Sequence, residues 1–240
     1  MIQVTNLCKS FDSHKVLDNI TLKIFEGELF CLMGTSGQGK SVFLQHLIGL
    51  LKPDIGTIEI DDIDITKLPE KKLLELRKNF GYLFQEGALF DYMDVYDNLA
   101  LPLREHTRKS EQEISALIHH VLKEVELVNA ETKYPIQLSG GMRKRVGLAR
   151  AIILNPKIFF CDEPTSGLDP ATGKAISRLI YKLCRELHAT TVIVSHDVNN
   201  FLPLADRAAI IDEGKIIAVG TKEELEKSSL AKVSHFLLKD

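Results

Sequence analysis

The sequence predicts an α/β fold with a mostly parallel sheet, an N-terminal antiparallel β subdomain and an inserted α-helical subdomain. Three observations lead to this prediction. Short apolar runs alternate with helical stretches along most of the chain, as strands and helices do in parallel α/β proteins. A glycine-rich turn joins an apolar run to a helix at residues 34–41. Between residues 94 and 155 the pattern changes to helices alone, and strands return afterwards.

Hydropathy predicts the first elements in chain order. Ile2–Leu7 and Ile20–Phe25 are predicted as strands, and apolar and polar residues alternate in the second of them. Glu28–Met33 is a compact apolar strand, and a helix is expected from Lys40 to about Leu50. Lys52-Pro53-Asp54 ends that helix, because proline cannot continue it. This N-terminal region is expected to contribute the antiparallel strands.

The remaining elements follow the same reasoning. Further strands are predicted at Gly56–Ile60, Phe80–Phe84, Ile158–Cys161, Thr190–Val194, Ala208–Ile211 and Lys215–Val219. Asp212-Glu213-Gly214 between the last two is a hairpin-turn signal. In the helical block, Ser110–Leu127 has apolar residues at helical spacing. We expect one domain over 1–240, with a core formed by 1–85 and 156–240 and a helical subdomain at about 86–155.

Composition excludes several classes of protein. The chain has 240 residues, of which 45% are hydrophobic and 26% are charged, close to the average for globular proteins. A net charge of −3 argues against nucleic acid as a partner. No apolar stretch reaches the ~18 residues of a membrane span, and the N-terminus does not resemble a secretory signal. The four cysteines have neither zinc nor disulfide spacing. We therefore expect a soluble intracellular protein with reduced thiols.

Residues 34–41 read GTSGQGKS and match the phosphate-loop pattern G-x-x-x-x-G-K-[ST]. Glycines let backbone N–H groups surround phosphate oxygens, and the following helix directs its positive dipole end at the anion. Lys40 would contact the β- and γ-phosphates, and the Ser41 hydroxyl would bind Mg²⁺. The segment predicts binding of a nucleoside triphosphate. The residues expected to contact it are Gly34, Thr35, Ser36, Gly37, Gln38, Gly39, Lys40, Ser41 and Val42.

Two carboxylates, Asp162 and Glu163, follow the predicted strand Ile158–Cys161. Parallel sheets bind ligands at the carboxyl ends of their strands, so both acids are expected near the phosphate loop. Asp162 would hold Mg²⁺ directly or through water, and Glu163 would polarise the attacking water. An adjacent acidic pair on its own is usually only solvated. After an apolar strand in a chain with a phosphate loop, it favours an ATPase over a passive nucleotide-binding module.

The segment Leu138–Met142 reads LSGGM and is followed by three cations and a helix. Cations in a first helical turn oppose the helix dipole unless an anion lies there, and the simpler interpretation is a glycine loop before a surface basic helix. Together with the two motifs above, the segment resembles the signature motif of ABC-transporter ATP-binding subunits. The resemblance covers nearly the whole chain in the family's motif order. It implies a P-loop NTPase (ABC ATPase) core, ATP and Mg²⁺, and ATP hydrolysis coupled to transport.

The resemblance assigns further site residues. Gln85 matches the Q-loop and is, like Asp162, an implied Mg²⁺ ligand. Asp169, in the sequence SGLD, matches the D-loop. His196 follows the strand predicted at Thr190–Val194 and matches the switch histidine. It is implied to act in catalysis together with Lys40 and Glu163.

The resemblance also implies an adenine contact and a dimer. Phe11 matches the aromatic residue that stacks on adenine, with Val16 nearby. In the family, the signature of one subunit closes over nucleotide held by the other, which implies a homodimer. The residues implied to contact the partner's nucleotide are Ser139, Gly140, Gly141 and Met142. Met142 stands where the family's usual signature has Gln, which puts hydrogen bonding by that amide in doubt.

The segment after Gln85 distinguishes among ABC systems. The strings FQEGALFD at 84–91 and NLALPLREHT at 98–107, together with Met142, resemble MlaF-type ATPases of Mce-associated phospholipid transport systems. The implied partners are an MlaE-like permease, an Mce-domain protein and a small STAS-like subunit. The implied location is peripheral, on the cytoplasmic face of the bacterial inner membrane. Leu89, Phe90 and Tyr92 are expected to form a groove for the permease, or else the packed edge of the helical block.

Other functions stay open as alternatives. The main one is an ABC importer for amino acids or another small solute. An ABC ATPase acting on DNA or the ribosome would have two tandem cores or a long coiled-coil insertion, which this sequence lacks. A nucleotide-gated scaffold is disfavoured, because the residues expected for hydrolysis are intact: Lys40, Asp162, Glu163 and His196. Since the sequence ends at Asp240, we expect any C-terminal tail that reaches across a dimer to be very short or absent.

Overall fold

The computed structural model describes residues 1–238, so the last two positions of the predicted domain lie outside the described residues. Its strands are β1 (Ile2–Phe11), β2 (His14–Ile24), β3 (Leu29–Met33), β4 (Ile55–Ile60), β5 (Ile63–Asp64), β6 (Phe80–Leu83), β7 (Ile158–Asp162), β8 (Thr190–Ser195), β9 (Arg207–Asp212) and β10 (Lys215–Gly220). Its α-helices are α1 (Lys40–Leu47), α2 (Glu70–Arg77), α3 (Val95–His106), α4 (Glu111–Glu124), α5 (Gly140–Ile152), α6 (Pro170–Leu187), α7 (Val198–Phe201), α8 (Lys222–Glu226) and α9 (Ala231–Leu237). Every predicted strand is confirmed in place, with ends that differ by a few residues.

The chain forms two compact units. The first comprises Met1–Arg77 and Thr190–Asp240, and the second comprises Lys78–Ala189. The helices predicted between residues 94 and 155 lie in the second unit, which also contains the strand pair β6–β7 and the long helix α6. The division of a single domain into a core and a helical subdomain near residues 85 and 155 stays a prediction.

The first unit contains both antiparallel and parallel pairing. Strands in the order β2-β1-β4-β5 form an antiparallel sheet, as expected for the N-terminal region. Strand β3 pairs in parallel with β8 on one side and β9 on the other, and β10 is antiparallel to β9. The turn from β9 to β10 has Glu213 at φ 48° and Gly214 at φ 73°, which confirms the predicted hairpin. All residues of β3 and β8 are buried, as in central strands of parallel sheets.

The largest differences from the predicted boundaries in this unit are in the β1–β2 hairpin and in helix α1. The hairpin of β1 and β2 extends to Phe11 opposite His14, beyond the predicted Ile2–Leu7 and Ile20–Phe25. Its outer part is mostly polar and only partly buried, with Leu17 as its one fully buried side chain, so backbone hydrogen bonding maintains the ladder where the alternating apolar pattern has ended. Helix α1 ends at Leu47 rather than near Leu50, because Gly49 takes a φ of 69°.

The second unit packs four helices with a parallel strand pair. Leu83 of β6 lies opposite Cys161 of β7, and Phe159 and Phe160 of β7 are fully buried. Helix α5 contacts β6 and also helices α3, α4 and α6. Helix α4 starts with a capping box in which Ser110 and Glu113 exchange hydrogen bonds. Within residues 1–238, no helix combines the length and apolar character that crossing a bilayer requires.

A buried histidine on α1 makes the stability of the first unit dependent on pH. His46 is fully buried, and its Nδ1 lies 2.7 Å from the Val42 carbonyl oxygen, to which Nδ1–H donates. Burial lowers the pKa of His46 below its ordinary value of 6.5, with the charge of Lys9 acting in the same direction and that of Asp54 opposing it. The unfolded chain therefore takes up a proton at His46 at a higher pH than the folded chain does.

This difference predicts the direction of the pH effect. As the pH falls below 6.5, His46 takes up a proton in the unfolded state first, and this protonation stabilises the unfolded state. The folded state takes up the proton only at lower pH, so the free energy of unfolding falls. His46→Leu should unfold with less pH dependence between pH 7 and ~5 than the wild type. The same change at the exposed His120 serves as the control. Chemical denaturation across this range measures the effect, and equal slopes for wild type and His46→Leu would contradict the assignment.

Candidate active site

The loop between β3 and α1 holds the predicted phosphate-binding residues in the first unit. Gly39 has a φ of 89°, and a Cβ on it would lie 2.9 Å from the Val16 carbonyl oxygen, so both conformation and space require glycine. The Lys40 ammonium is buried and donates to the carbonyls of Gly34 at 2.8 Å and Thr35 at 3.0 Å. The first turn of α1 has no acidic residue, so the helix dipole there favours an anion. The loop is suited to bind phosphate.

The turn between β9 and β10 supports the phosphate loop from outside. The backbone N–H of Glu213 donates to Oε1 of Gln38, and the Asp18 N–H donates to the carbonyl of Gly214 at 2.9 Å. These bonds connect the loop to β2 as well as to β9. Val16 lies against the loop at Gly39, while Phe11 is 42% exposed at the end of β1. The adenine contact itself stays a prediction.

Strand pairing brings His196 to the same sheet edge as the phosphate loop. Met33 of β3 pairs with Ser195 of β8 in parallel, so the loop that starts at Gly34 and the exposed His196 both follow directly from paired strand ends. The Asp197 N–H donates to the Ser195 hydroxyl at 3.0 Å, which fixes the backbone on both sides of His196. The first unit thus brings a cationic loop and an imidazole together at one edge.

In the second unit, the predicted acidic pair lies at the end of β7. Asp162 is 8% exposed, and its Oδ2 accepts a hydrogen bond from the Tyr82 hydroxyl at 3.4 Å. Burial, together with the negative charge of Asp162, raises the pKa of Tyr82 far above its ordinary value, so Tyr82 acts as a donor at physiological pH. Glu163 is 7% exposed and adopts a left-handed φ of 43°. Its carbonyl accepts from the Ser166 N–H at 3.1 Å.

Gln85 follows β6 at the sheet edge where β7 ends in Asp162. The β6–β7 register, Leu83 opposite Cys161, brings both residues to the same edge, and Nε2 of Gln85 donates to the Ser166 hydroxyl at 3.3 Å. The carboxylate of Asp162 and the carboxamide of Gln85 carry the oxygen atoms predicted to bind Mg²⁺ in this unit, and the Ser41 hydroxyl carries the one predicted in the first unit. Oxygen donors of this kind are those that Mg²⁺ takes in proteins, so the residues fit the implied metal.

The signature segment lies against the predicted D-loop in the second unit. The Ser139 hydroxyl caps α5 by accepting from the Met142 N–H at 3.3 Å. A Cβ on Gly141 would lie 2.8 Å from Cγ2 of Thr172, so only glycine permits this approach. The Asp169 carboxylate caps α6, and hydrogen bonds from the hydroxyl and amide of Thr172 lower its pKa. Asp169 thus has a structural role in addition to its predicted one.

The three cations after the signature do not form a surface basic helix. Arg143 donates to the Leu138 carbonyl at 2.8 Å, and Arg145 donates to the Val125 carbonyl at 2.6 Å. Lys144 is only 5% exposed, with its ammonium directed into the unit. The interpretation as a surface helix is therefore wrong for Lys144. A signal was present in the sequence, because Lys144 shares a helical face with the buried residues three and four positions later.

The segment after Gln85 is anchored by two side chains that the sequence reasoning missed. The fully buried Asn98 accepts from the Phe90 N–H at 2.8 Å and donates to the Phe90 carbonyl at 3.1 Å. Its amide also donates to the carbonyls of Met93 and Asp94. Arg150 donates to the Gly87 carbonyl at 3.0 Å and the Ala88 carbonyl at 2.9 Å. Together these bonds satisfy the backbone of an irregular loop and hold its shape.

The anchored loop presents aromatic rings to the outside. Phe90 is 38% exposed and Tyr92 is 75% exposed, and their ring centroids are 5.8 Å apart. The Arg150 guanidinium lies 5.8 Å from the centroid of the Phe90 ring on its inner side. Leu89 is only partly exposed. The exposed apolar surface is therefore aromatic.

Comparison with known proteins places the sequence among transport ATPases. The family model described as ABC transporter matches residues 17–166. A probable ribonucleotide transport ATP-binding protein, mkl of Mycobacterium leprae, is 47% identical over 236 residues, covering 98% of this chain and 68% of that protein. The intermembrane phospholipid transport system ATP-binding protein MlaF of Haemophilus influenzae is 41% identical over 237 residues, covering 99% of this chain and 90% of that protein.

Solved structures agree with the predicted fold class. A dimeric ATP-binding cassette in a post-hydrolysis state, bound to ADP and Pi, superposes with a TM-score of 0.86 at 33% identity, over 92% of this chain and 99% of that one. The α/β fold with a mostly parallel sheet and an additional antiparallel sheet is thus that of ABC ATPases. The chain belongs to the ABC transporter family and is an ATP-binding subunit that hydrolyses ATP.

Proposed function

We propose that this chain energises phospholipid transport between the inner and outer membranes of a bacterium and so maintains outer-membrane lipid asymmetry. The observation that carries the proposal is the anchored aromatic loop at residues 84–92, whose sequence has the MlaF-type form. Similarity to MlaF over 99% of this chain and 90% of that protein supports it. The alternative is an importer of a small solute. The 47% identity to a probable ribonucleotide transport ATP-binding protein is the observation that supports this alternative.

The proposed assembly is a homodimer of this chain on the cytoplasmic face of the inner membrane. An MlaE-like permease would contact the loop at 84–92, and an Mce-domain protein and a small STAS-like subunit would complete the complex. Phe90 and Tyr92 suit this contact, because burying their exposed aromatic surface would stabilise the complex by about 25 cal/mol per Å². The loop is already held by Asn98 and Arg150, so docking requires little ordering of the backbone.

In the proposed reaction, water attacks the γ-phosphorus of ATP while the bond to the β–γ bridging oxygen breaks. Glu163 accepts a proton from the water, and ADP leaves with the electrons of the broken bond. Lys40 holds the β- and γ-phosphates, and His196 contacts the γ-phosphate. Phe11 and Val16 contact the adenine, and residues 34–42 surround the phosphates.

Ser41, Gln85 and Asp162 are the proposed ligands of Mg²⁺. When bound, the ion neutralises charge on the phosphate oxygens. Tyr82 orients the Asp162 carboxylate through its hydroxyl. The signature residues Ser139, Gly140, Gly141 and Met142 are proposed to contact the nucleotide of the partner chain, with Asp169 nearby in the D-loop. Each ATP would then require both chains.

The role of Glu163 predicts a separation of binding from hydrolysis. Glu163→Gln keeps the size and hydrogen-bonding capacity of the side chain but cannot accept a proton. ATP should bind with near-normal affinity, while turnover falls by roughly 10²–10⁴-fold. Steady-state phosphate release and equilibrium nucleotide binding measure the two effects. Turnover close to that of the wild type would remove Glu163 from the role of general base.

If the signature contacts the partner's nucleotide, substitutions at Lys40 and Ser139 should impair different steps: ATP binding for Lys40 and ATP-dependent dimerisation for Ser139. Lys40→Ala removes charge-assisted bonds to phosphate and should weaken ATP binding by about 10–100-fold, in line with the ~1.5–3 kcal/mol of such bonds. Ser139→Arg should leave ATP binding to monomers intact and block the ATP-dependent dimer, seen by size-exclusion chromatography. Loss of the α5 cap should cost only ~1 kcal/mol of stability. If Ser139→Arg monomers no longer bind ATP, the signature acts within its own chain.

The transport proposal predicts a specific defect at Phe90. In the complex purified with its permease and reconstituted in proteoliposomes, ATP should move a fluorescent phospholipid between membranes. Phe90→Glu should still fold and bind ATP, but it should lose co-purification with the permease and lose transport at least ~10-fold. Val128→Glu is the matched control, because Val128 is 69% exposed elsewhere in the same unit. Transport of a radiolabelled ribonucleoside or amino acid without phospholipid movement would support the importer instead.

A further inference from the structure

A buried ammonium in the second unit binds main-chain groups of two functional segments. Lys144 lies in α5 and is 5% exposed. Its Nζ donates to the carbonyl of Gln85, 59 residues away in sequence, and at 3.3 Å to the carbonyl of Glu163, 19 residues away. One side chain therefore connects the end of β6 to the end of β7.

The acceptors of Lys144 are unusual for a buried cation. Burying an ammonium is costly, and partners with full negative charge are the common compensation. Lys144 instead donates to two neutral carbonyls, and burial lowers its pKa, with the carboxylates of Glu86, Glu163 and Asp162 opposing that shift. Direct pairing with one of these acids would compensate the burial of the Lys144 ammonium more fully than two neutral carbonyls do. The position of the Lys144 ammonium is suited to orient the backbone at Gln85 and Glu163.

The backbone of Glu163 needs such support. Its φ of 43° lies in the left-handed region, which costs a residue with a Cβ free energy and persists only where neighbours hold it. The Glu163 carbonyl accepts both from Lys144 and from the Ser166 N–H at 3.1 Å. The Ser166 hydroxyl also accepts from the Gln85 side chain at 3.3 Å. Lys144, Gln85, Glu163 and Ser166 thus form one connected cluster.

We propose that Lys144 is a positioning residue for hydrolysis, which holds the backbones of Gln85 and Glu163 so that their side chains keep the orientation the reaction needs. The inference rests on the roles proposed above for Gln85 and Glu163. Lys144 is remote in sequence from the phosphate loop and touches main chain only, so it should affect the rate of hydrolysis and leave ATP affinity nearly unchanged. A displacement of ~1 Å at a reacting group can cost about 10²-fold in rate.

The test compares Lys144→Met with Arg145→Met in the full chain. Arg145 is the matched control, because it is the next residue of α5 and also donates to a carbonyl, that of Val125, away from the two functional segments. Lys144→Met should lower kcat by about 10–100-fold with KM and ATP affinity within ~3-fold of wild type, whereas Arg145→Met should change kcat less than ~3-fold. Lys144→Arg, which can donate to both carbonyls, should restore most of kcat.

A second measurement does not depend on turnover. In the nucleotide-free chain, amide hydrogen exchange in peptides covering residues 80–90 and 158–168 should be faster in Lys144→Met than in wild type, and unchanged in Arg145→Met. If Lys144→Met does not fold, Lys144→Arg and Lys144→Gln are compared in the same two assays. Gln should show the loss of kcat and the faster exchange that Arg does not.

The outcomes separate this inference from the proposed function. Wild-type kcat in Lys144→Met, or equal losses of kcat in Lys144→Met and Arg145→Met, would overturn the positioning role while Glu163→Gln stays inactive. If Glu163→Gln retains turnover, the assignment of the general base fails, and the exchange measurement still decides whether Lys144 holds the two segments.

Discussion

Parallel strand pairing determines which loops lie side by side in each unit. In the first unit, Met33 lies opposite both Ser195 and Ile210, so the phosphate loop starts between the loops that follow β8 and β9. In the second, Leu83 lies opposite Cys161, so Gln85 and Asp162 leave the same edge. Because paired parallel strands end at the same edge of the sheet, the loops that follow them lie side by side. The positions of the predicted site residues within each unit depend on this register.

Side-chain donors hold the irregular loops that follow the strands in the second unit. Such loops contain carbonyls without ladder partners, and a buried carbonyl without a partner is costly. Asn98, Lys144 and Arg150 all donate to main-chain carbonyls between residues 85 and 94, and Lys144 also reaches Glu163. These three side chains are not among the residues proposed to touch ATP. They preserve the shape of the segments that do, or that face the proposed permease.

Helix α5 contacts the segment after β6 at several successive residues. Helix α5 begins at the signature, where Ser139 caps it, and Lys144 then contacts the Gln85 carbonyl. One turn later, Gly147 lies against Gly87, where an added Cβ would come within 3.1 Å of the Gly87 Cα. Arg150 then bonds the Gly87 carbonyl. A rigid helix that contacts successive parts of one loop connects the signature to the exposed aromatic surface within this unit.

The sequence by itself determined the features whose physics is local. The phosphate loop, the acidic pair and the hairpin at Asp212–Gly214 are each defined by a few adjacent residues, and the structure has all three at the ends of the predicted strands. The outer part of the β1–β2 hairpin could not be predicted in the same way, because backbone pairing extended it past the apolar pattern. A strand is recognised by hydropathy when a whole face of it is buried, and in this part of the ladder only Leu17 is fully buried.

Only the tertiary structure decided which polar side chains turn inward. The buried Lys144 donates to carbonyls that are 59 and 19 residues away in sequence. The partners of Asn98 lie within eight residues, but its four hydrogen bonds require the irregular backbone of residues 90–94. A run of three cations looks uniform in the sequence, but packing of α5 against β6 gives each cation a different environment. Whether a charged residue is solvated or buried is a property of its packed neighbours, and local propensity carries no information about them.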